Sequence, residues 1–127
     1  KKIINKKILQ LAFDTRNYGL KKKSKFIVTL KNKKCGDKIK VELEIKEKKV
    51  KRMYYETESC IFCQASASLL SNKIKNIMIR DIDKIILSNQ FKFLLEKKYL
   101  SRKDCIMLPY HALRKVINNY NFKTIPS

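Results

Sequence analysis

The chain has 127 residues, 31 of them basic and 11 acidic, for a formal net charge of +20, and 44% are hydrophobic. That apolar share argues against a disordered chain even with 33% of residues charged. No apolar run approaches the ~18 residues of a membrane span, and the length fits one domain, residues 1–127, whose core needs no disulfides. Only five of the basic residues are arginine (Arg16, Arg52, Arg80, Arg102 and Arg114). Lysine is a solvated point charge, and no aromatic and basic residues interleave as in an RNA-binding sheet. The charge therefore predicts salt-sensitive adhesion to polyanions rather than specific nucleic-acid binding.

The opening "KKIINKKILQLAF" is basic and then apolar, but it lacks a continuous apolar stretch and a small-residue cleavage site. Ile4, Ile8, Leu11 and Ala12 lie near helical spacing, which predicts an amphipathic helix over residues 2–13 of a cytoplasmic protein. A polar break, Asp14 to Leu20, holds Gly19, one of two glycines, where a turn with positive φ is expected. "SKFIVTLKN" predicts a strand with Phe26, Val28 and Leu30 on one face. "KIKVELEIK" alternates most regularly: Ile39, Val41, Leu43 and Ile45 against Lys40, Glu42, Glu44 and Lys46, a strand with one buried and one wet face. "KKVKRMYYETES" predicts a third strand, with Tyr54 and Tyr55 on opposite faces. "FCQASASLLSNKIKNI" predicts a helix with Ala65, Leu69 and Ile74 on one stripe. "DIDKIILSNQFKFLLEKK" predicts a helix capped near Asp81 and interrupted around Ser88–Asn89. "MLPYHALRKVINNY" predicts a last helix with Pro109 in its first turn. The order helix, three strands, helices implies an α+β fold: a three-stranded antiparallel sheet with helices packed on one face. The lysine runs Lys21–Lys23 and Lys46–Lys49 read as solvated turns.

Three of the four cysteines fall at element ends. Cys35 lies between the first two strands, Cys60 where the third strand gives way to a helix, and Cys105 just before the last helix. Unpaired amides and the dipole at a helix N-terminus favour thiolate, the metal-binding form, at Cys60 and Cys105. In Cys35-Gly36-Asp37, glycine allows a turn that aims both flanking side chains at one site. Three thiolates and a carboxylate can hold a tetrahedral zinc or a small iron–sulfur cluster, with Asp37 as the more exchangeable ligand. Spacing alone leaves open ordinary buried cysteines and a zinc knuckle built on Cys60 and Cys63. His111, the only histidine, has no carboxylate neighbour in sequence and reads as a half-exposed helix residue.

Four stretches in order, "RNYG" (Arg16–Gly19), "CGDKI" (Cys35–Ile39), "SCIFCQASASLL" (Ser59–Leu70) and "RKDCIMLPYHAL" (Arg102–Leu113), resemble the NifU/IscU-type iron–sulfur cluster scaffold family, including its SufU-like branch. The resemblance implies an α+β domain with a site from Cys35, Asp37, Cys60 and Cys105. Those residues would hold a 2Fe–2S cluster, or zinc in its place, and the three thiols would accept sulfur from a cysteine desulfurase. The cluster would pass to acceptor proteins, from a monomer or weak homo-oligomer with no turnover of its own. The words around Cys105 imply an alternative, a zinc-dependent sulfurtransferase or desulfurase activator; a basic nucleic-acid-binding module is the third reading. The sequence departs from the family at Asp14-Thr15, which replace Asn-Pro, at Asp104, where histidine or lysine is usual, and at Cys63, which is additional. The proline-valine-lysine stretch recognised by the family's chaperone partner is replaced by "KKYLSRKDC", which leaves a chaperone partner open.

Overall fold

The computed structural model describes residues 6–22, 24–33, 36–86 and 97–124. Helix α1 (Lys6–Phe13) is followed by strands β1 (Ile27–Lys31), β2 (Lys38–Lys46) and β3 (Lys49–Glu58), then helix α2 (Ile61–Lys73). A two-residue strand β4 (Ile77–Met78), a 3-10 turn over Ile79–Asp81 and helix α3 (Ile82–Ile86) come next. A 3-10 segment, Lys97–Arg102, leads into the final helix α4 (Lys103–Thr124).

The sheet is an antiparallel meander, β1-β2-β3-β4, with four strands rather than three. The extra strand is short: Ile77 and Met78 pair with Val50 and Lys49, and two residues carry no period for sequence to reveal. Register places Val28 opposite Val41 and Val41 opposite Tyr55. Those residues, with Ile39, Leu43 and Met53, form the buried inner face. Helix α4 packs over β1 and β2, α2 over β3, and α1 against α2. This α+β arrangement agrees with the helix–strands–helices order read from sequence.

Helix α2 is central. Sequence predicts one apolar stripe, yet the whole run Ala65–Ser71 is buried. Small side chains on every side let α1, α4 and the sheet approach it closely, which a stripe analysis based on large residues does not register. The last helix also departs from expectation. It begins at Lys103, so Cys105 lies in its first turn rather than before it, and Pro109 is interior. Proline has no N–H for the carbonyl four residues back and crowds that turn. Ser66 Oγ donates to the adjacent Ile106 carbonyl at 2.6 Å and so supports the disturbed turn from α2.

Asp81, the predicted cap, directly precedes α3. Asp81 ends the 3-10 turn that runs directly into α3 and pairs with Lys84 at 3.8 Å. The expected interruption at Ser88–Asn89 lies outside the described residues. Gly19 (φ +102°) and Gly36 (φ +75°) both use the positive-φ region expected of them; the Gly19 N–H donates to the Tyr55 carbonyl at 2.7 Å.

Candidate metal centre

The candidate site forms where β2 begins and β3 ends. Asn32 N–H donates to the Asp37 carbonyl at 2.7 Å and Gly36 N–H to the Asn32 carbonyl at 2.8 Å, closing the turn that delivers Asp37 to β2. One register pair further in, Thr57 faces Ile39, and Thr57 Oγ1 sits 2.7 Å from both the Lys38 carbonyl and Ser59 Oγ. These contacts tie the two strand ends together. Cys60 then occupies the N-cap of α2, with extended backbone and no side-chain cap bond. Its carbonyl accepts Gln64 N–H at 3.1 Å, which starts the helix.

Sulfur stands where serine, threonine or aspartate usually caps a helix, leaving the first amides of α2 without intrahelical partners. The Asp37 carboxylate supplies part of what is missing: Oδ1 accepts the Cys60 N–H at 3.3 Å, and Oδ2 lies 3.9 Å from Cys60 Sγ. Cys105, in the first turn of α4, brings a second helix N-terminus to the same place. One ligand atom from each of Asp37, Cys60 and Cys105 lies within 4.8 Å of the other two. The sulfur–sulfur edge of a tetrahedron with ~2.3 Å metal–sulfur bonds is about 3.8 Å, so small side-chain rotations would close the set. Asp37 and Cys105 are buried and Cys60 is half-buried, which leaves an approach from solvent through one sulfur. A buried carboxylate facing two thiols at paired helix N-termini is a donor set suited to zinc or iron.

Three of the four residues read from sequence as ligands are thus brought together, and the fourth, Cys35, lies outside the described residues. Asp104 is exposed and is not part of the cluster. Cys63 is fully buried, one turn beyond Cys60, with its Sγ 3.9 Å from Thr57 Oγ1. Burial pushes its thiol up to about 11, with Asp37 and Cys60 acting in the same direction. His111 is exposed, 5.7 Å from the Tyr110 ring, and is likewise outside the cluster.

Sequence reasoning misassigned one residue near this strand. Glu42, expected on the wet face, is 1% exposed. Its Oε1 accepts the N–H groups of Lys21 (2.8 Å) and Lys22 (2.9 Å), and its Oε2 accepts that of Ser24 (3.0 Å). Lys21 and Lys22 therefore keep exposed side chains while their amides face a buried anion, a backbone nest. Alternation predicts the face of Glu42 but not the loop that folds over it.

The NifU-like N-terminal domain profile matches residues 3–126. The chain belongs to this family. Among solved structures, the chain is similar to a NifU-like N-terminal protein from Brucella abortus: TM-score 0.83, 20% identity, covering 96% of each chain. It is also similar to a candidate iron–sulfur cluster assembly scaffold protein for the SUF system from Fervidobacterium islandicum. That match has a TM-score of 0.80 at 19% identity, covering 91% of this chain and 96% of the other. At such identities these neighbours establish the fold. No curated protein matches the sequence. Among the described residues, no helix is long and apolar enough to cross a membrane.

Proposed function

We propose that this NifU-like domain is a scaffold on which a 2Fe–2S cluster is assembled from sulfur supplied by a cysteine desulfurase and then passed to acceptor proteins. The cluster is cargo. Cys35, Cys60 and Cys105 supply thiolates and accept sulfur, and Asp37 is the ligand that exchanges. The observation that carries this reading is the convergence of Asp37, Cys60 and Cys105 within 4.8 Å at one end of the sheet.

The chemistry follows from the residues. Helix N-termini attract anionic groups through their dipole and unpaired amides, and Cys60 and Cys105 stand at two of them. A carboxylate among thiolates gives one hard, weaker bond to a soft cargo, so release is easier than from four thiolates. Among the described cysteines, half-buried Cys60 is the one a partner's persulfide reaches first. Such thiols stay free in a reducing compartment, the cytoplasm. The +20 charge would speed docking to an acidic desulfurase surface.

Anaerobic reconstitution with iron, sulfide and a cysteine desulfurase tests the proposal. It predicts visible charge-transfer absorption with iron and sulfide in equal amounts; colourless protein beside a competent control overturns it. A second reading, zinc-dependent sulfur relay, is favoured by the likeness to the SUF-system candidate scaffold. It predicts desulfurase stimulation by the zinc form with no iron added.

A further inference from the structure

Cys63 has no place in the ligand set, yet the fold sets it beside a ligand. Cys60 is the N-cap of α2 and Cys63 is the third residue of the helix. An N-cap side chain, on extended backbone, naturally reaches over the second and third residues of the first turn, where oxygen caps find their amide partners. With sulfur at the cap, the residue beneath it is Cys63. Cys63 Sγ lies 3.9 Å from Thr57 Oγ1, which sits 2.7 Å from Oγ of Ser59, the residue that precedes Cys60. Cys63 is 0% exposed, so reagents in solution do not reach it directly and Cys60 is its route to chemistry. A Cys-x-x-Cys pair opening a helix is the arrangement that dithiol redox chemistry uses.

We propose that Cys63 is a resolving thiol that discharges sulfur carried on Cys60 as sulfide. This rests on the reading of Cys60 as a sulfur acceptor and adds the step that acceptance alone leaves out. Sulfur arrives in a persulfide at the oxidation level of the element, whereas a cluster needs sulfide, two electrons lower. In the step, Cys63 sulfur attacks the inner sulfur of the Cys60 persulfide. The Cys60–S–S–H sulfur–sulfur bond breaks, and a Cys60–Cys63 disulfide forms. The outer sulfur leaves with the bonding electron pair and, carrying its own hydrogen and the Cys63 proton, departs as hydrogen sulfide. The two cysteines together lose two electrons and the departing sulfur gains them. A dithiol reductant restores both thiols by exchange at half-buried Cys60. Holding the reactants one turn apart makes the step unimolecular, which favours it over capture by a passing thiol.

The test is a stoichiometric pulse of cysteine persulfide to the apo protein, without reductant, in wild type and Cys63→Ser. Sulfide release is followed together with the mass of the tryptic peptide spanning residues 53–73, which contains both cysteines. Wild type is expected to release one sulfide per chain while that peptide loses two hydrogens. Cys63→Ser is expected to retain one extra sulfur on Cys60 and to release sulfide at least about ten-fold more slowly. A wild-type Cys60 persulfide that persists with no internal disulfide overturns the resolving role alone. So does sulfide release from Cys63→Ser at the wild-type rate. If no cysteine of either protein takes up sulfur, the acceptor reading falls and this step falls with it. Should the serine variant fold poorly, the wild-type peptide mass alone still decides between disulfide and persistent persulfide.

Discussion

Two buried carboxylates stand on or beside one strand, and they are used in opposite ways. Glu42, in the middle of β2, is enclosed by three backbone amides from residues 21–24 at 2.8–3.0 Å. Asp37, at the strand's start, is 5% exposed, but among the described residues its carboxylate accepts one amide at the longer distance of 3.3 Å and otherwise faces sulfur. A buried anion must be compensated. Glu42 is compensated by the protein itself, so its charge is spent on holding a loop. Asp37 is compensated in part, with lone pairs left for a cation. Hydrogen bonding, rather than burial, distinguishes a structural acid from the ligand proposed at Asp37, since burial is nearly the same for both.

Substitution sharpens the contrast. Removing the saturated acid, Glu42→Ala, leaves buried amides without an acceptor and is expected to cost about 3–5 kcal/mol in denaturant unfolding. Metal stoichiometry of the fraction that folds should be unchanged. A loss below about 1 kcal/mol would mean that water replaces the carboxylate and the loop is not held by it. Asp37→Ala is expected to change the stability of the apo protein by less than about 1 kcal/mol. Its effect should fall on the cargo: slower loss of a reconstituted cluster to an acceptor or chelator, followed by visible absorption. Faster loss would show that the carboxylate anchors the cluster instead of releasing it.

A smaller effect comes from the thiol beside the site. Burial holds Cys63 at about 11 against 9.0 for a free thiol, and Tyr55 at about 12 against 10.0. The folded state keeps protons that the unfolded chain gives up. Stability should therefore be level below pH 9 and fall as pH rises from 9 toward 11–12, with Cys63 contributing about 2 kcal/mol of the fall at pH 11. Cys63→Ser should flatten the early part of that fall. An unchanged slope in the variant would mean that the thiol is solvated in the native state.

Much of this architecture was legible in the residues. The period-2 run Ile39–Ile45 marks β2, and Gly19 and Gly36 mark turns that adopt positive φ. The cysteines at element ends mark the site, and two of them, with Asp37, are found together there. What escaped the sequence depends on tertiary packing. Helix α2 is buried on nearly all sides because its neighbours close on small residues, and no period announces that. Pro109 reads as a helix start, yet its turn is supported by a hydroxyl 43 residues upstream, Ser66, through the Ile106 carbonyl. Glu42 reads as solvent-facing because the loop that covers it is itself polar and lysine-rich. In each case a long-range partner reverses a local preference.

The central claim is that Asp37 and the cysteine sulfurs bind one common ion. X-ray absorption at the zinc edge of the zinc-loaded protein addresses it most directly, with Asp37→Ala measured alongside. The account predicts a shell of three sulfur and one light-atom scatterer in which Cys60→Ser or Cys105→Ser removes one sulfur and Cys63→Ser removes none. A shell of four sulfurs that loses one in Cys63→Ser, or a spectrum indifferent to Cys60 and Cys105, would contradict it.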